Sequence, residues 1–438
     1  MTNSSPGPFP SLALAADCTL LRHSQMNVRY LHVRVTAPAA VREASRPAVH
    51  AAFCLDRSGS MGGRPLHLAK QAVHTALGRL VPADRFAVVT FDDVVEVVTP
   101  ATFASSAATA TAHDKLRHVD ARGSTALCAG WLTACGEIAP TSGPGGDLAA
   151  TARCFLLTDG QANVGETNLE VLAKHAYELR LRGVRTVTFG LGDGFNEELL
   201  QGLAAAGGGH FYFVEDAANI GDFFTSELGE ALDVVSREVR LTLSAPGVKC
   251  EPLTTYGVEP MGDRVVVRLG DLVSDQVIDL VVKLTFPGGE IGRSIEVLAQ
   301  VSADGRAAAT PENAVDHLRT QEVARFTFAP DHTANHQPRN RQVDRQVASV
   351  YAAHARRIAV ARNRDGDLLG AEDKLLSTAK YIQRYAHGDE ELFAIADALV
   401  EDAKRYSAPM MEMERKRAYA SATSQMKGRD TSGRARKS

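Results

Sequence analysis

Three short segments of this 438-residue chain concentrate oxygen-bearing side chains at sites where a strand gives way to a loop. The first is Asp56-Arg57-Ser58-Gly59-Ser60-Met61. Alternation along an extended loop turns Asp56, Ser58 and Ser60 to one side, and Gly59 lets the backbone bend between the two hydroxyls. The second segment is Arg122-Gly123-Ser124-Thr125, at the opening of a helix, and the third is Thr158-Asp159-Gly160. Carboxylates and hydroxyls with no histidine or thiolate among them suit a hard divalent cation, Mg²⁺ or else Mn²⁺ or Ca²⁺, and disfavour zinc. Two carboxylates leave such an ion short of ligands, so water or an acidic group from outside must complete the octahedron. Hydroxyl ligands also reduce the negative charge at the metal and keep it electrophilic towards a partner's carboxylate.

Between about residues 47 and 236, short β-rich runs alternate with helical patterns, which predicts an α/β fold with a doubly wound, mostly parallel sheet. Ala48 to Leu55 reads as the first strand, followed by a helix from Pro65 to Leu80 with apolar spacing through Leu66, Ala69, Val73 and Leu77. Arg85 to Phe91 and Val94 to Val98 read as a hairpin, Thr125 to Ile138 as a helix, and Cys154 to Thr158 as a strand without polar interruption. A helix from Asn168 to Arg182, a strand from Val184 to Leu191, a short helix from Asn196, a strand from Phe211 and an amphipathic helix over Ala218 to Ser236 complete the domain. In such a sheet, ligands bind outside the carboxyl ends of the strands, where all three oxygen-rich segments fall.

From residue 237 to 305 the period changes to two, in runs such as VRLTL, RVVVRL and VIDLVVKLTF, the pattern of an antiparallel β-sandwich. Few strands lie in that stretch, and the runs Leu12 to Leu20 and Asn27 to Thr36 also alternate. The expectation is a split sandwich completed by strands from residues 1–46. Helical spacing over residues 306–410 predicts a C-terminal helical region, and residues 411–438 read as a basic, disordered tail.

With 48 basic and 52 acidic residues the net charge of −4 is too balanced to favour nucleic acid or an anionic membrane surface. No apolar run approaches the roughly 18 residues a membrane span needs, and Met1 to Pro10 lacks the basic and apolar regions of a secretory signal. Six scattered cysteines without a C-x-x-C pair read as buried free thiols of a reduced, cytoplasmic protein.

Taken together, D-x-S-G-S, a distant G-S-T and a later T-D-G resemble the metal-ion-dependent adhesion site of von Willebrand factor A domains. The resemblance covers about Pro47 to Ser236. It implies that Ser58, Ser60 and Thr125 ligate the metal directly, that Asp56 and Asp159 hold it partly through water, and that a partner's Asp or Glu takes the open position. The stretch GLGDGFNEELLQGLAAAGGGHFYFVEDA is similar to the later part of bacterial members that carry a β-sandwich and helices, an architecture shared loosely with inter-alpha-trypsin inhibitor heavy chains. Ser124 is a departure, since many members have two glycines in that loop.

The expected role is therefore a non-enzymatic, metal-dependent protein interaction module. One rival is an adaptor for a AAA+ ATPase, the role such domains play in MoxR-type and chelatase-like systems. Another is a metal-assisted phosphohydrolase, which would need Asp56 as nucleophile; the chain lacks a G-x-S-x-G elbow, a P-loop and H-E-x-x-H. His67 and His74 share a helix face but lack a third ligand and read as surface residues, Asp92-Asp93 reads as a solvated turn, and Trp131 as helix packing.

Overall fold

The structure is a computed structural model, and it describes residues 9–40, 48–139, 151–160, 162–192, 195–214, 222–224, 226–227, 229–230, 233–304, 319–427, 429 and 435–437. The chain divides into two compact units, residues 42–233 and residues 1–41 with 234–438.

The chain opens with β1 (Ser11–Ala16), β2 (Leu20–Arg22) and β3 (Asn27–Thr36), which belong to the second of these units. The other unit holds a six-stranded sheet of β4 (Val49–Asp56), β5 (Arg85–Phe91), β6 (Val95–Phe103), β7 (Thr151–Thr158), β8 (Val184–Leu191) and β9 (Gly208–Val214), in the order β6-β5-β4-β7-β8-β9. All its pairings are parallel except β5 with β6. Every residue of β4 and of β8 is buried, as expected of strands covered on both faces.

Alternation along the strands divides the core into two layers. Phe53, Phe155 and Phe189 pack with Leu66 and Val73 of α1 (Arg64–Leu77) on one face. On the other face Cys54, Cys154 and Leu156 pack with Leu127, Trp131 and Cys135 of α3 (Leu127–Ile138). Between these helices in sequence lies α2 (Ser106–Arg117), and α4 (Leu169–Leu181) and α5 (Glu197–Ala206) follow. Each large apolar side chain so buried contributes about 1.5–3 kcal/mol. The chain leaves β4 towards β5 on one side and later returns as β7 on the other, so the strand order reverses beside the carboxyl ends of β4 and β7.

In the second unit β10 (Val234–Ser244), β11 (Lys249–Pro252), β12 (Gly257–Met261), β13 (Arg264–Val273), β14 (Val277–Phe286), β15 (Ser294–Asp304) and β16 (Arg319–Ala329) join the N-terminal strands in two sheets. Their orders are β1-β3-β14-β11 and β12-β13-β10-β15-β16-β2, facing across Leu31, Val33, Leu241, Val267, Phe286 and Phe326. Two expectations are corrected here. Val234 to Ser236, expected to end a helix, begin β10, where Ser236 pairs with Leu272. Arg319–Ala329, expected within the helical region, is a strand: Phe326 and Phe328 point inward at period two, while polar neighbours hide the alternation.

After a short α6 (Asp331–Asn335), four longer helices follow: α7 (Arg341–Arg364), α8 (Leu368–Ala386), α9 (Glu390–Tyr406) and α10 (Glu412–Met426). Small residues Ala348, Ala352, Ala355 and Ala359 form a stripe on α7 that meets Leu375, Ile382, Leu392 and Leu399. Helix α10 lies within the stretch read as a disordered tail; Ala422 and Met426 are buried with Ala353, which gives that stretch an apolar anchor. No helix among the described residues is long and apolar enough to cross a membrane.

Candidate functional site

Asp56 is the last residue of β4 and is fully buried. Its Oδ1 accepts the Ser58 amide at 2.8 Å, and its Oδ2 accepts the Thr158 hydroxyl at 2.5 Å. A single 3-10 turn, Gly59–Met61, then leads towards α1 and brings the Ser58 and Ser60 hydroxyls to 3.2 Å from each other. Ser58 is buried and Ser60 is exposed, so the pair reaches from the sheet to the surface.

Backbone hydrogen bonds bind this loop to the next. The Gly59 amide donates to the Gly123 carbonyl at 3.1 Å, and the Arg122 amide donates to the Arg57 carbonyl at 2.8 Å. Gly123 has φ +65°, and a Cβ there would stand 1.9 Å from Asp93 Oδ1, so glycine is required. Thr125 is buried; its amide donates to Asn163 Oδ1 at 2.7 Å, and its carbonyl accepts the amides of Asn163 and Val164. Asp159 is also buried, directly after β7, and its carbonyl accepts the Asn196 amide at 3.2 Å. The five residues singled out in the sequence therefore sit on three loops cross-linked at the carboxyl end of the sheet.

Electrostatics distinguish the members of this cluster. Burial pushes the Asp56 carboxyl up to about 6, the nearby Asp159 carboxylate adds to the shift, and donors from Ser58 and Thr158 oppose it. The largest influences of its neighbours on Asp56 thus come from hydroxyls, an amide and a second carboxylate. Oxygen donors around a buried carboxylate fit a hard divalent cation.

Several residues that shape the site were not singled out. Thr158 fixes Asp56 and also accepts the Gly160 amide at 2.8 Å. Asp92, expected in a solvated turn, is fully buried: its Oδ2 accepts Arg122 Nε at 2.7 Å and lies 3.2 Å from Arg57 Nε, and its carbonyl accepts the Ala126 amide. Burial opposes the charge of Asp92, but the Arg122 hydrogen bond, the Val94 amide and Arg57 hold its carboxyl below the usual range. The signal was available, because Asp92 follows the apolar run RFAVVTF at a strand end, as Asp56 and Asp159 do.

A second polar cluster lies near the amino ends of β7 and β9. Glu227 is fully buried; it accepts Arg153 Nη1 at 2.7 Å and the Tyr212 hydroxyl at 2.7 Å, and His210 Nδ1 lies 2.5 Å from it, with Glu230 3.8 Å from His210. Burial favours the neutral acid, but His210 and Arg153 hold the Glu227 carboxyl down at about 2. His210, Glu227 and Glu230 are spaced closely enough to hold an ion, but Arg153 already supplies positive charge there.

Residues 52–226 match the family model of the von Willebrand factor type A domain, and this α/β unit is a domain of that type, a fold that generally serves as a protein interaction module. Over 84% of its length the chain is 26% identical to an uncharacterized protein of Synechocystis sp., covering 86% of that protein. It is also 26% identical over 250 residues to the uncharacterized protein YfbK of Escherichia coli (strain K12), covering 55% of this chain and 42% of that one. A von Willebrand factor type A structure from Catenulispora acidiphila superposes with a TM-score of 0.64 at 20% identity, covering 89% of each chain. The ArnB paralog VWA2 from Sulfolobus acidocaldarius superposes with a TM-score of 0.56 at 17% identity, over 98% of this chain and all of that one.

Proposed function

We propose that this protein binds a protein partner by holding a divalent cation, Mg²⁺ in the first instance, between the three loops and offering its open coordination position to an Asp or Glu of the partner. The observation that carries this reading is the pair of buried carboxylates, Asp56 and Asp159, beside the Ser58, Ser60 and Thr125 hydroxyls on three cross-linked loops, with Asp56 held chiefly by neutral hydroxyl and amide donors. Ser58, Ser60 and Thr125 would ligate the ion directly, and Asp56 and Asp159 would hold it partly through water. Bound there, the ion supplies a strong positive field for an incoming carboxylate.

The protein's own groups prepare the site. The Ser58 amide and the Thr158 hydroxyl fix both oxygens of Asp56, while the loop cross-links keep Thr125 and the Ser58-Ser60 pair in register. Neutral hydroxyls leave the ion more of its charge than carboxylates would, which favours capture of an outside acid over hydrolysis. The test is partner capture with tagged protein, with and without EDTA, and with Asp56→Ala and Thr125→Ala variants whose folding is checked by circular dichroism. Capture should disappear in EDTA and in both variants; undiminished capture by folded variants in EDTA would refute the metal mechanism.

A further inference from the structure

Away from the loops, α1 and α2 form a surface groove lined by His67, Lys70, Gln71 and His74 from α1 and His113, Leu116 and Arg117 from α2. The third histidine that the sequence pattern of α1 lacks is thus supplied by α2. His74 Nδ1 and His113 Nδ1 stand 2.9 Å apart, a distance at which one ring donates and the other accepts. Lys70 Nζ donates to the Arg117 carbonyl at 3.2 Å. No carboxylate lines the groove, and none of these five basic side chains forms an ion pair among the described residues. Burial, followed by the proximity of His74 and Arg117, lowers the His113 pKa, as expected where basic groups are gathered without compensation.

Lys70 and Arg117 offset the negative C-terminal end of the α2 dipole. That role does not account for three histidines along the same groove in a chain whose acidic residues outnumber its basic ones. We infer that the α1–α2 groove is a second binding surface, one that takes an acidic segment of a protein, with Lys70 and Arg117 as fixed cations and His113, held against His74, as a group that gains charge when the anion arrives. The inference goes beyond the metal site and does not depend on it, because no groove residue belongs to the three loops.

The test uses the full chain in EDTA at low salt, with a labelled hexaglutamate peptide as probe and fluorescence anisotropy as readout. Binding should weaken at least tenfold with Lys70→Glu/Arg117→Glu and about fivefold with the neutral pair Lys70→Met/Arg117→Met, and it should be unchanged in Asp56→Ala. Raising salt to about 1 M, where the screening length falls to about 3 Å, should abolish it. Between pH 8 and pH 6 binding should strengthen several-fold, and His74→Ala/His113→Ala should remove that gain. The groups facing the pair are His67 and Lys70 from α1 and Arg117 from α2, none of which can supply a compensating negative charge. Peptide binding that survives both Lys70/Arg117 variants, or a groove saturated by inorganic phosphate as readily as by the peptide, would overturn the inference.

Discussion

At the carboxyl end of β4, Asp56 is buried among hydroxyls and an amide with Asp159 nearby, whereas near the amino ends of β7 and β9 the buried Glu227 meets Arg153, His210 and Tyr212. The same unit therefore places carboxylates at both ends of one sheet and treats them in opposite ways. Glu227 is held well below the usual carboxylate range, and Asp56 is raised to about 6. A buried charge with its own cation ties elements together, and one held chiefly by neutral donors is suited to receive a cation from outside. Glu227 lies in a helical stretch, so the ion pair fastens that stretch to β7, while the loops around Asp56 are fastened to one another through backbone hydrogen bonds.

The largest effect should come from breaking the compensated end. Arg153→Met leaves Glu227 buried without its guanidinium and should cost about 3–5 kcal/mol, a fall in Tm of about 10 °C for a unit of this size. Mg²⁺ binding by the folded fraction should be unaffected. A Tm within about 2 °C of the parent would erase the contrast between the ends. Metal should act on the other end: at 100 times its dissociation constant, Mg²⁺ should stabilise the protein by about 2.7 kcal/mol, and calorimetry should show this gain absent in Asp159→Asn. A smaller effect of the opposite sign is expected for Asp56→Asn without metal. The folded pKa of Asp56 is raised, so its contribution is favourable below about 3.8 and is lost as pH rises through about 6. At pH 7 the ionised carboxylate is a liability, and the amide should make the metal-free protein about 1 kcal/mol more stable by urea denaturation while removing the Mg²⁺ response. Clear destabilisation instead would mean that Asp56 is structural.

The smallest effect concerns acid. The folded pKa of Glu227 is depressed, so its contribution is present above about 4.5 and fades as pH falls towards 2. Melting temperatures between pH 5 and pH 3 should therefore fall less steeply in Glu227→Gln than in the parent. Parallel curves would remove Glu227 from the acid response.

The parallel sheet was legible because β4 and β7 carry the apolar runs AAFCL and CFLL that a doubly covered sheet buries, and because Asp56, Thr125 and Asp159 fall where such a sheet puts its ligands. Asp92 carried the same strand-end signal, but a pair of adjacent aspartates looks solvated until Arg57 and Arg122 converge on it from two other loops. The Arg153–Glu227 pair joins residues 74 apart in sequence and leaves no local pattern. Strand β16 was masked by polar residues on its outer face, and His113 could not be joined to His67 and His74 without knowing that α2 lies beside α1.

The most direct test of the metal site is an anomalous difference map from crystals grown with Mn²⁺ in place of Mg²⁺. A peak among Ser58, Ser60 and Thr125, within reach of Asp56 and Asp159, is the expected result. A map with no peak there, or with its only peak among His210, Glu227 and Glu230, would contradict the assignment of the carboxyl end of the sheet as the metal-binding end.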